Sequence, residues 1–175
     1  QTTASGAVSH AEGFHTKASG RFSHAEGNIT IALKDYSHAE GYQTTASGDM
    51  SHAEGLSSLA NSTCSHAEGW ATKACEESAH SEGYVTIASG VASHAEGCQT
   101  TASNYASHAG GHFNAAMTTG GSNANTTGTA FVIGNGSHDK RSNAFSIQYN
   151  GIVKAKSSIT GSTTADYAEF FEWED

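Results

Sequence analysis

Proline is absent from this chain of 175 residues, and large aliphatic side chains are few. Ala, Ser, Thr and Gly take their place, a composition that does not suit a single packed core and would ordinarily point to disorder. Cations are scarce as well: eight Lys and Arg face seventeen Asp and Glu, a formal charge of −9. Phosphate backbones are bound by clustered cations, so nucleic acid is excluded as a partner. An acidic surface also disfavours anionic membranes, and with no apolar run of about 18 residues, no membrane insertion is expected. The three cysteines, Cys64, Cys75 and Cys98, form no C-x-x-C pair. They fall in three different columns of the repeat described next, which predicts free thiols. Gln at position 1 and the lack of a visible signal peptide suggest a segment of a longer chain.

Strict periodicity overturns the disordered reading. Ser-His-Ala-Glu-Gly recurs at 9–13, 23–27, 37–41, 51–55, 65–69 and 93–97, with degenerate copies at 79–83 and 107–111, a period of 14 without insertion. A second half-unit lies between, as in Thr2-Thr3-Ala4-Ser5-Gly6 and Thr16-Lys17-Ala18-Ser19-Gly20. The sub-period is therefore seven. A coiled coil would need large apolar residues at a and d, whereas Ser/Thr and Ala recurring two apart beside a glycine read as a short strand and a turn. Ser/Thr, Ala and Gly then share one strand face. The residue in the Ala column is Ala from Ala4 to Ala116 except at Ser81, so this face must point into a bore too narrow for anything larger. Two strands and two turns make one coil, and eight coils at about 4.8 Å each predict an all-β parallel roll roughly 40 Å long.

The outward faces of the two half-units differ. One carries His10, His24, His38, His52, His66, His80, His94 and His108, followed two residues later by Glu12, Glu26, Glu40, Glu54, Glu68, Glu82 and Glu96. The other is mixed: Thr3, Lys17, Ile31, Thr45, Leu59, Lys73, Ile87 and Thr101. A wet face tolerates mixture, while a face that meets copies of itself is held uniform. The His/Glu residues are accordingly expected to form a subunit interface. Energetics agree, because a buried Ala methyl contributes about 1 kcal/mol or less while ordering a residue costs about 1–2 kcal/mol. A roll this thin gains from oligomerisation.

These half-units resemble the head repeats of trimeric autotransporter adhesins, the left-handed parallel β-roll whose motif reads Ser-Val-Ala-Ile-Gly. The resemblance covers residues 1–117 and implies a homotrimer; His and Glu stand here where the family has an apolar pair, which implies a polar trimer core. From 118 to 160 a β-rich connector is expected, with Thr129–Gly136 as a strand and a hairpin around Asn150-Gly151. The tail from 161 to 175, with Ala165-Asp166-Tyr167-Ala168-Glu169-Phe170-Phe171-Glu172-Trp173-Glu174-Asp175, resembles the lead-in to the self-cleaving intramolecular chaperone of phage neck-appendage and tail-spike proteins, the peptidase G2 type. That resemblance implies a processed product or a shortened chain, and marks Asp166, Glu169, Glu172, Glu174 and Asp175 as autocleavage-region candidates. An acidic, solvated terminus is the competing account of them.

Ser-His-x-Glu invites a catalytic-triad reading, but adjacent strand residues point to opposite faces, so Ser9 cannot present its hydroxyl to His10 and no catalysis by the repeats is expected. Histidine columns also invite a metal reading. A hydrogen-bonded His/Glu network between subunits is preferred, with no metal and no cofactor. Histidines buried in such an interface are expected to be protonated or to share protons with Glu, which would make stability fade as pH rises. Phe14, Tyr42, Trp70 and Tyr84 follow the His/Glu strand at turns, where aromatic rings either stack on sugars or pack between coils.

Together these features predict a host-attachment segment of a trimeric phage tail fibre or neck appendage, carried on the virion and binding a host cell-surface glycan or teichoic acid, as the phage resemblance implies. The alternatives are the head of a bacterial trimeric adhesin on the cell surface, and a glycan-degrading tail spike, which would need a carboxylate pair in a groove.

Overall fold

Fourteen residues close one turn of a solenoid because each seven-residue half ends in a corner that no regular strand could hold. The structure, a computed structural model, describes residues 1–118 and 128–156. Among them there is no helix. Residues 8, 15, 22 and every seventh residue through Phe113 adopt left-handed backbone angles, with φ between 46° and 59°. None is Gly or Asn, and Val8, Ile29 and Val85 are β-branched, so each corner costs about 1–2 kcal/mol of local strain. From the second coil on, the stack holds them. Tyr36 N–H donates to the Arg21 carbonyl and Met50 N–H to the Asp35 carbonyl, both at 2.9 Å.

Two parallel sheets result. The short strands Thr3–Ala4, Lys17–Ala18, Ile31–Ala32 and their successors through Thr101–Ala102 form an eight-stranded sheet. The His/Glu strands, beginning with His10–Phe14 and His24–Asn28 and continuing through His108–His112, form the second. Register is strict: His66 lies beside His52 on one side and His80 on the other. The chain is thus an all-β parallel solenoid of about eight turns.

The bore is filled as expected by Ala18 through Ala109, and the Ser and Thr columns around it are equally buried. Hydroxyls there need internal acceptors. Thr44, Thr86 and Thr100 donate to the carbonyls of Glu40, Glu82 and Glu96 across the turn. The sixth coil exchanges Ala and Ser, with Ala79 in the Ser column and Ser81 in the Ala column; Ser81 and Thr86 hydroxyls then meet at 2.8 Å.

Three expectations about columns need correction. The glycine of the His/Glu strand does not face the bore: Gly41 is exposed, with φ +101°, and a Cβ there would sit 2.3 Å from the Gly55 carbonyl oxygen. The column is glycine because it bends and because successive coils touch there. At the far end, Ala116 is exposed and Met117 is buried instead, so the alternation slips by one residue. Nor does the parallel sheet stop at residue 117. Thr129–Asn135 adds a ninth rung, parallel to His108–His112, with Phe131 beside His108, Val132 beside Ala109 and Ile133 beside Gly110. Val132 is fully buried and continues the bore. Asn143–Gln148 and Val153–Ala155 follow as antiparallel strands.

Candidate functional site: the histidine and glutamate columns

Because register repeats every 14 residues, side chains at one column stack at the strand spacing. Imidazole centroids of consecutive histidines lie 4.6–4.9 Å apart from His10 to His108. From His24 to His94 the stacked rings are nearly parallel, within 11°. Phe131 extends the column, its ring centroid 5.1 Å from that of His108. The glutamates run alongside, and with the Gly13-to-Gly83 column they line an open groove of about 860 Å³.

Each His except His10, at the exposed end, is about one-third exposed. Its closest carboxylate changes along the roll. In the early coils it is the Glu two residues on, as in His38 to Glu40 at 3.8 Å and His52 to Glu54 at 3.7 Å. Later it is the Glu of the preceding coil, as in His94 to Glu82 at 3.3 Å and His108 to Glu96 at 3.2 Å. Only these last two approach hydrogen-bond length. The Nε2 atoms of His38, His52, His66 and His80 are buried and have no hydrogen-bond partner. The hydrogen-bonded network expected of these columns is therefore not completed within one chain.

Within the single chain, protons lean toward two of the glutamates. Burial, then the charge of neighbouring histidines, pushes His38, His52 and His80 below the usual imidazole value. Glu40 is raised to about 7 by hydrogen bonds with Glu54 and Glu26 and by burial. Glu68 is raised to about 7 in the same way by Glu82 and Glu54. Glu26, Glu54 and Glu82 are correspondingly lowered, chiefly by the same hydrogen bonds. Like charges crowded at strand spacing cannot all ionise, so Glu40 and Glu68 are held toward the protonated form, while burial holds His38, His52 and His80 toward the neutral one.

The serines take no part. Ser23, Ser51 and Ser93 hydroxyls donate to the carbonyls of Gly20, Gly48 and Gly90, all at 2.7 Å and away from the histidines. Phe14, Tyr42, Trp70 and Tyr84 lie on the surface, 59%, 42%, 52% and 40% exposed; Trp70 and Tyr84 meet edge to face at 4.9 Å. Cys64, Cys75 and Cys98 are free. The tail carrying Asp166, Glu169, Glu172, Glu174 and Asp175 lies outside the described residues. Sequence reasoning found the columns but missed Phe131 and Ile133 as their continuation, because the 14-residue spacing breaks between Gly111 and Gly134. No protein-family model, curated protein or solved structure matches this chain.

Proposed function

We propose that this chain is a structural and host-attachment segment of a homotrimeric fibre, a left-handed roll whose His/Glu face closes against two other copies. The observation that carries this reading is that one face stays uniform over eight coils while its buried Nε2 atoms go unpartnered. A polar atom withdrawn from water without a partner is costly, and a neighbouring chain packed on this face offers what the single chain lacks. The ninth rung supports the same surface. There the His/Glu pair gives way to Phe131 and Ile133, in register with His108 and Gly110, and Ile133 is 41% exposed. An apolar pair at these positions is what the adhesin-head resemblance implies for a trimer core.

Attachment to a host-surface glycan or teichoic acid on a phage virion follows from the resemblance of the tail, and the exposed aromatic residues provide stacking surfaces for sugar rings. Sedimentation equilibrium tests the assembly. Three times the 18.0 kDa chain mass is expected, and a monomer at micromolar concentration overturns the reading. Attachment is tested by binding of the trimer to immobilised cell-wall polymers. Trp70→Ala with Tyr84→Ala should weaken binding without changing the mass, and no binding by the unaltered trimer would remove the attachment role.

A further inference from the structure

The His/Glu columns bring together five sets of one imidazole and two carboxylates: Glu26 with His38 and Glu40, and the equivalent sets centred on His52, His66, His80 and His94. In each set one potential ligand atom per residue lies within 4.8 Å of the other two. A four-coordinate transition ion holds N and O ligands at about 2.0–2.2 Å. Closing a set on an ion therefore asks each ligand to move inward by about 1 Å or less, within reach of a glutamate side chain that opens onto the groove. The Nε2 atoms of His38, His52, His66 and His80 are buried and accept no hydrogen bond from any protein donor. They adjoin the line of carboxylates that borders the groove.

We propose that these columns bind divalent transition-metal ions of the zinc type within each chain, three per chain, through alternate His/Glu sets. Each ion takes one imidazole Nε2 and two carboxylate oxygens, and leaves a fourth position open to the groove. The donor set selects the metal class: one nitrogen with two oxygens suits Zn²⁺, Ni²⁺ or Cu²⁺, whereas Ca²⁺ and Mg²⁺ prefer oxygen alone. Two carboxylates match the charge of one dication.

The count of three comes from sharing. Glu40 belongs both to the set of His38 and to that of His52, and the same holds for Glu54, Glu68 and Glu82 in turn. Neighbouring sets therefore compete for one carboxylate, and two ions side by side would be separated by little more than the strand spacing. Filling the sets of His38, His66 and His94 uses six glutamates once each. The sets of His52 and His80 stay empty.

This site lies within a single chain and does not depend on the trimer. Protein stripped with chelator is dialysed against micromolar Zn²⁺ at neutral pH and its metal content measured, with its mass determined by sedimentation on the same sample. Three ions per chain are expected, and Co²⁺ in their place should show the visible bands of a four-coordinate site. His52→Gln with His80→Gln should leave three. His38→Gln with His66→Gln and His94→Gln should leave two, because the two sets that remain share no carboxylate. Replacing all five should leave none. One ion per chain or fewer in the unaltered protein, or a count indifferent to these replacements, overturns the proposal. A monomer holding three ions would refute the trimer alone, and a trimer holding none would refute the metal site alone.

Discussion

An Ala-to-Gly change in ordered structure normally destabilises, yet at the corners of this roll the sign should reverse. Ala92 is exposed and holds φ at 55°, so its methyl contributes strain and little packing. Left-handed angles cost a non-glycine residue about 1–2 kcal/mol, against about 0.5–1 kcal/mol for the extra freedom that glycine loses on folding. Ala92→Gly should therefore stabilise the chain by about 0.5–1 kcal/mol, measured by denaturant melts. A decrease would show that the corner is not strained. At the other glycine-dependent position the opposite holds. Gly69 has φ +105°, and a Cβ there would lie 2.3 Å from the Gly83 carbonyl oxygen. Gly69→Ala should cost on the order of 2–4 kcal/mol, read in the same melts, because backbone of the adjoining coil cannot yield without breaking register.

The protonated carboxyls give a pH dependence whose sign can be worked out residue by residue. Glu40 and Glu68 titrate near 7 in the folded chain, above the ordinary 4.5. Their contribution to stability is complete below the ordinary value and is lost as pH rises through about 7. His38, His52 and His80, held below 6.5, act oppositely: their contribution is present above that value and is lost as pH falls through the folded one. Between 6.5 and about 7 only the glutamate loss remains. Glu40→Gln with Glu68→Gln keeps a neutral side chain at both places. In chelator, this variant should melt a few degrees above the unaltered chain once pH exceeds about 7, with the difference gone below 4.5. An unchanging difference across that range would place the protons elsewhere.

At the scale of the element, the unit that can be removed is the coil and not the half-unit. Residues 45–58 make one full turn, so their deletion joins Thr44 to Leu59 with every column intact. The chain should fold with little loss of stability per remaining coil and scatter as a slightly shorter rod. Deleting 45–51 instead joins Thr44 to His52, which puts a His/Glu strand where the short sheet needs a Thr-Ala strand. That variant should fail to give the cooperative melt, and circular dichroism on the two proteins distinguishes them. The same logic explains what was legible in the sequence. Register, period and the Ala bore could be read because a parallel stack repeats one set of steric demands at every coil. The corner angles could not, since Val8, Phe22 and Cys64 share no chemistry that marks left-handed backbone. Phe131 and Ile133 were hidden for a related reason: the ninth rung matches its neighbours in space but not in sequence spacing.

For the whole molecule, the two outward faces make different demands on a charge placed there. On the mixed face a carboxylate at Thr45, between Ile31 and Leu59, enters water and should leave both fold and assembly unchanged. At Ile133 the same group would enter the rung where the His/Glu columns turn apolar, and in a trimer three new carboxylates would meet near one axis. Burying like charges without partners is costly. Within one chain Ile133 is 41% exposed, so the substitution has little to disturb in the isolated fold. Ile133→Asp should therefore shift the sedimentation equilibrium from trimer toward monomer by at least tenfold in dissociation constant, while the circular dichroism spectrum keeps its shape and Thr45→Asp sediments as the parent does. Equal behaviour of the two variants would mean that the uniform face meets water, not copies of itself, and that the imidazole ladder serves the single chain alone.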